Sequence, residues 1–92
     1  MNINNLLSHR KQEPERSVLY LVGTPIGNLD DISTRAIKIL RNVSMIACED
    51  TRKTGNLLNH FNISNTLISF HKYSSSKKTN FLIEKLLEGL SI

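Results

Sequence analysis

Three short polar segments, each directly behind an apolar run, carry the residues whose types and spacing suit chemistry. Gly23-Thr24-Pro25-Ile26-Gly27-Asn28 follows a run starting at Val18, Glu49-Asp50-Thr51-Arg52 a run starting at Met45, and His71-Lys72-Tyr73 a run starting at Thr66. In the first segment Pro25 fixes its own backbone and holds Thr24 extended, while Gly27 lets main chain approach a ligand with no side chain between. A rigid turn with a bare edge suits a flat small molecule, although the same residues also make a plain turn. Phosphate cradling of two well-known kinds is excluded. Gly23 and Gly27 make G-x-x-x-G with no Lys-Ser or Lys-Thr behind it, which is neither the dinucleotide fingerprint nor the P-loop.

The second segment packs two carboxylates, a hydroxyl and a guanidinium into four residues. Such a set can fix a ribose, orient a hydroxyl nucleophile or hold a phosphate through Arg52, and Asp50 or Thr51 also reads as the cap of the following helix. His71 is the histidine expected at a strand's carboxyl end, as a surface side chain or a proton carrier. No Cys/His set has zinc-ligand spacing and no G-x-S-x-G nucleophile turn is present, so no metal site is expected. The single cysteine, Cys48, lies in the apolar MIAC run, which excludes an internal disulfide and suggests a buried structural thiol.

The elements that must position these segments follow from the apolar pattern. The three runs VLYLVG, MIACED and TLISFH are nearly continuous in apolar residues, as strands covered on both faces tend to be. Between the first two, Ile32, Ala36, Ile39, Leu40 and Val43 form a helical stripe, with Asp30 or Asp31 as its natural N-cap. A weaker helix from about Thr51 to Phe61 aligns Leu57, Leu58 and Phe61. A third, from about Lys77 to Leu90, stacks Ile83, Leu86, Leu87 and Leu90, with Leu82 widening the stripe and Gly89 as C-cap. Strand alternating with helix predicts a parallel-sheet βαβαβα unit of the α/β class, with right-handed crossovers. In such sheets ligands bind outside the carboxyl ends of the strands, where all three polar segments fall.

With 92 residues, the chain has room for one small domain at most. A hydrophobic share of 39% and a charged share of 22% are those of a globular protein, and no apolar run reaches membrane-spanning length. Residues 1–16 are polar, carry Pro14 and lack the core of a signal peptide, so a mobile tail and a cytoplasmic location are expected, with the folded part at 17–92. The net charge of +4 hints at an anionic partner, or at nothing beyond solubility, because the basic residues are spread over several sites. Leu90-Ser91-Ile92 looks like the start of a fourth strand, which suggests a fragment of a longer protein.

LVGTPIGNLDDISTRAIKIL, followed by ACEDTR and then SFH, resembles the N-terminal part of the small-subunit ribosomal RNA methyltransferases of the tetrapyrrole methylase-like superfamily. The resemblance runs from Val18 to Ile92. It implies an S-adenosylmethionine-dependent enzyme that methylates the ribose 2′-hydroxyl of a cytidine in 16S rRNA, with the donor in a cleft between two α/β domains of a homodimer. Carried over, the GTPIG turn places Pro25, Ile26 and Gly27 at the donor, and analogy with related methylases makes Glu49 and His71 the candidates for proton handling. Arg52, Lys72, Lys77 and Lys78 are the candidates for steering the RNA backbone. The departures are two: Lys72-Tyr73-Ser74-Ser75-Ser76 replaces the acidic residue and short polar run that usually follow the histidine, and a Ser-Asp-Ala-Gly-Thr-Pro loop and second domain that the resemblance leads one to expect do not occur in these residues. Methylation of a tetrapyrrole, against which the EDTR segment speaks, and a non-catalytic remnant that binds RNA or a partner chain are the rival readings.

Overall fold

The structure, a computed structural model, describes residues 13–92. Its order is a short 3-10 turn (Leu29–Asp31), helix α1 (Thr34–Asn42), strand β1 (Ile46–Cys48), helix α2 (Thr51–His60), strand β2 (Leu67–Ser69) and helix α3 (Ser76–Leu87). β1 and β2 pair in parallel, Ile46 opposite Leu67 and Cys48 opposite Ser69, so α2 is the crossover between neighbours. The α/β class and parallel pairing are those expected from the alternating pattern.

Capping chemistry sets the helix limits. α2 starts at Asp50, whose Oδ1 accepts the N–H groups of Arg52 (3.0 Å) and Lys53 (3.2 Å). α1 differs from expectation: its N-cap is Ser33, whose hydroxyl accepts from Ala36 N–H at 3.0 Å, while Asp30 and Asp31 lie one turn earlier in the 3-10 segment. Asn28, not an aspartate, caps that segment by accepting from Asp30 N–H. Ser75 caps α3. Two helices end in left-handed residues: Asn62 (φ 54°) lets Ile63 N–H reach Leu58 O at 2.8 Å, and Gly89 (φ 100°) lets Leu90 N–H reach Lys85 O at 3.1 Å. α1 ends differently, on a side chain: Asn65 Nδ2 donates to both Leu40 O and Val43 O at 2.9 Å. Asn65→Ala leaves two half-buried carbonyls without that donor, so an expected loss of about 1–3 kcal/mol should appear as a lower melting temperature in circular dichroism.

The core joins one face of α1 to α2 and the sheet through Ile39, Leu40, Val43, Ile46, Leu57, Leu58 and Ile63. Two elements depart from the pattern read above. The first apolar run is extended but not enclosed: Tyr20 and Val22 pack on the core, whereas Leu19 and Leu21 on the other face are 56% and 92% exposed. Its only backbone hydrogen bonds among the described residues lie at its start, Tyr20 N–H to Ile92 O (2.8 Å) and Ile92 N–H to Val18 O (3.2 Å). α3 buries Leu82, while Ile83 and Leu87 of the expected stripe are 48% and 81% exposed, because no described element covers that side. It is also shorter than the expected span, ending at Leu87 with Gly89 just beyond as cap.

The expected tail lies outside the described residues up to residue 12. Its last residues touch the fold: Glu13 receives two hydrogen bonds of 3.0 Å from Arg35, and the Arg16 guanidinium lies against Gly89. A Cβ at Gly89 would meet that guanidinium in addition to requiring a left-handed alanine.

Candidate functional site

The carboxyl ends of the first run and of β1 open into one cleft of about 1140 Å³. The rim on one side is the turn Thr24–Gly27; on the other it is Glu49, Asp50 and the first turn of α2 through Lys53 and Thr54. The turn is rigid at Pro25 and bare beyond it. Gly27 has φ 93°, and an added Cβ at Gly23 or Gly27 would meet nothing within 4 Å. Both glycines are exposed and face open space, so main chain at the turn is accessible from outside. Ile26 is fully exposed, an apolar side chain held at the rim with no contact to bury it. Behind the turn, Asp30 Oδ1 meets His60 Nε2 at 2.9 Å, tying the 3-10 segment to the end of α2.

The polar groups differ in how much freedom the fold leaves them. Asp50 lines the cleft but its Oδ1 is committed to capping α2, whereas Glu49 lines the same rim, exposed. His71 does not line the cleft. Its Nδ1 accepts from Tyr73 N–H at 3.1 Å and its backbone N–H donates to Ser74 Oγ at 3.0 Å, so ring and backbone together close the turn. With Nδ1 accepting, the neutral ring carries its proton on Nε2 and offers a donor there. Among the four basic candidates, Arg52, Lys72 and Lys77 are exposed and Lys78 is half-buried; all lie outside the cleft lining, and the Lys72 ammonium sits 5.0 Å from the centroid of the exposed Tyr73 ring.

Thus the fold brings Pro25, Ile26 and Gly27 together with Glu49 on one cleft, and sets His71 and the basic residues apart from it. Lys53, Thr54 and Phe70 join the lining although the sequence does not single them out. Asp50 as cap is the usable signal for the first two: residues three and four places after a cap share its face of the helix. Nothing local marks Phe70. Cys48, expected to be buried, is half-buried in the cleft wall because the space beside β1 is open. Among the described residues no cluster of His, Cys, Asp and Glu is arranged to hold a metal ion, and no helix is long and apolar enough to cross a membrane.

Known proteins share this stretch of chain. The family model for Tetrapyrrole (Corrin/Porphyrin) Methylases matches residues 18–88. A protein of Vibrio cholerae named Ribosomal RNA small subunit methyltransferase I is 55% identical over 75 residues, covering 82% of this chain and 26% of that protein. Proteins of the same name from Halalkalibacterium halodurans and Escherichia coli O157:H7 are 46% and 45% identical over 89% and 91% of this chain, which spans 28% and 29% of their lengths. The chain therefore spans between a quarter and a third of these relatives. The match covers both the turn and the strand ends that form the cleft, and on that ground the chain belongs to the tetrapyrrole methylase family.

Proposed function

We propose that this chain forms the turn-bearing wall of an S-adenosylmethionine site in a methyltransferase that modifies the ribose 2′-hydroxyl of a cytidine in 16S rRNA, acting in the cytoplasm on the small ribosomal subunit as a homodimer. The observation that carries this reading is the convergence of the open Pro25–Gly27 turn and Glu49 on one cleft at the strand ends. The residues present fit such a donor: a bare main-chain edge for a flat adenosyl group, apolar walls, and no bulky side chain over Gly27. When bound, the donor supplies an already activated methyl group. What remains for the protein is to hold a weakly nucleophilic hydroxyl in line with it and to accept a proton.

Glu49 takes the proton-accepting role in this reading, since it stands on the cleft rim with no described hydrogen bond committing its carboxylate. His71, whose accepting nitrogen is spent on Tyr73, is left to donate a hydrogen bond from the third strand end. Arg52, Lys72 and Lys77 are exposed, Lys78 is half-buried and all four lie outside the cleft lining, and in this reading they take the phosphates flanking a splayed nucleotide.

The test is a chimera in which residues 17–92 replace the corresponding residues of the Vibrio cholerae relative. Methyl transfer to small subunits from a strain lacking the modification is expected, located at a ribose hydroxyl; a folded chimera that methylates only a tetrapyrrole, or nothing, would overturn the reading. Within that chimera, Arg52→Ala and Lys77→Ala are each expected to weaken RNA binding and to lower the slope of log affinity against log salt by about 0.7–0.9 for each phosphate left unneutralised, with donor KM unchanged. A filter-binding series over several salt concentrations measures it.

A further inference from the structure

The loop between β2 and α3 leaves the cleft wall at Phe70 and rejoins it at Thr79, both of which line the cleft. Tyr73 stands in that loop with its ring in solvent, the residue being 81% exposed. Its main chain is nonetheless anchored. Ser74 N–H donates to His71 O at 2.8 Å, His71 N–H to Ser74 Oγ at 3.0 Å, and Tyr73 N–H to His71 Nδ1 at 3.1 Å. The ring meets the His71 ring in a T-shaped arrangement, centroids 6.1 Å apart, and the Lys72 ammonium lies 5.0 Å from its centroid. These contacts orient the aromatic group and leave most of it open, so little freedom remains to be lost when a flat group stacks on it.

The charge around the loop is of one sign. Residues 51–83 contain five Lys or Arg and no Asp or Glu. Glu49 and Asp50, at the neighbouring strand end, line the cleft instead. Among the described residues no carboxylate pairs with Lys72, Lys77 or Lys78. Lys77 and Lys78 also fall in the first turn of α3, where the positive end of the helix dipole disfavours cations and no acidic residue offsets them. Such a field attracts an anion, and an open ring attracts a flat π-system. An unpaired nucleotide carries both.

On the reading of the cleft as a methyltransferase site for RNA, we infer that Tyr73 is a stacking platform for an unpaired RNA base flanking the nucleotide that enters the cleft. Lys72 and Lys77 take the phosphates beside it. The flanking position follows from placement: Tyr73 is absent from the cleft lining, yet it lies only three residues beyond Phe70, a reach of at most about 11 Å. Stacking accepts any of the four bases, so the platform holds the strand and leaves the choice of nucleotide to the cleft.

The experiment measures binding of the 92-residue chain, and of the Vibrio chimera, to a single-stranded RNA of about ten nucleotides. Polyphosphate of matched charge is the probe that carries phosphates without bases. Tyr73→Ala is expected to weaken RNA binding by roughly fivefold to a hundredfold at an unchanged salt slope, and to leave polyphosphate binding as it was. Tyr73→Phe, which keeps the ring, is expected to stay within about twofold of the parent. Lys72→Ala instead lowers the salt slope by about 0.7. Far-UV circular dichroism checks that each variant keeps its helices. No RNA binding by either protein, RNA affinity unaltered by Tyr73→Ala, an equal loss with polyphosphate, a Phe variant as weak as the Ala variant, or tighter binding to phosphatidylserine vesicles than to RNA would each overturn the inference. The methyltransferase reading fails separately. Tyr73-dependent RNA binding by a chimera without methyl transfer removes the activity and keeps the platform, whereas methyl transfer to small subunits with a KM untouched by Tyr73→Ala removes the platform and keeps the activity.

Discussion

Gly27→Val is expected to weaken donor binding by roughly one to two orders of magnitude while leaving the helices in place. Two effects add. The backbone at Gly27 sits at φ 93°, where a β-branched residue carries a strain of about 1–3 kcal/mol. Its side chain would also project into space that the chain keeps clear and that the donor is proposed to use. In the Vibrio chimera, donor KM should rise by about tenfold to a hundredfold, equivalent to about 1.4–2.8 kcal/mol, with RNA affinity and far-UV circular dichroism little changed. Gly23→Ala separates the two effects, because that position has the same open space without a left-handed backbone. If Gly27→Val is folded with an unaltered KM, the turn does not contact the donor.

Leu58→Ala should have the largest effect on stability. The side chain is 3% exposed at the centre of the cluster joining α1, α2 and β1, and its truncation removes transfer energy and leaves a cavity, together about 2–5 kcal/mol. The carbonyl of the same residue accepts Ile63 N–H in the cap of α2, so collapse around the cavity also disturbs the cap. Small domains are stable by only about 5 kcal/mol or somewhat more, so loss of a cooperative thermal transition is the expected outcome. A melting temperature within a few degrees of the parent would show that Leu58 is not a core position.

Where the sequence is informative, the cause is local. The alternation of apolar run and amphipathic helix predicts the parallel βαβ order, and a cap at Asp50 or Thr51, of which the structure uses Asp50, and Gly89 as terminator follow from chemistry within a turn of each residue. The N-cap of α1 is misassigned from sequence because Asp30, Asp31 and Ser33 are all good caps. Only the tertiary position of Ile32, buried against the core, decides where the chain can turn into the helix. The first run reads as an enclosed strand, yet its pairing partner is Ile92, far along the chain, which no local pattern reports. The exposed side of α3 is illegible for a similar reason: an apolar stripe specifies burial without saying what buries it.

For the site, the rule that ligands gather at strand carboxyl ends places Pro25, Ile26, Gly27 and Glu49 on one cleft. It gives no means of telling Arg52 from Lys53, because which of two neighbours on α2 faces the cleft depends on the rotation of the helix against the sheet. His71 stands at a strand end, but a serine three residues on accepts from its backbone N–H and the Tyr73 amide donates to its ring, which holds the ring in its own loop. That local closure is written in the residues Tyr73 and Ser74; their consequence for the imidazole becomes visible only in three dimensions.

The placement of the donor against the Pro25–Gly27 turn is tested most directly by nuclear magnetic resonance. The isotope-labelled 92-residue chain is titrated with S-adenosylhomocysteine, the demethylated form of the donor, to concentrations well above those that saturate complete methyltransferases. Saturable shifts are expected at the amides of Thr24, Ile26, Gly27 and Glu49, with those of Ser64 and Lys85, outside the cleft lining, unmoved. Shifts confined to residues outside the cleft, or an unchanged Gly27 amide at the end of the titration, would contradict a donor site built on this turn.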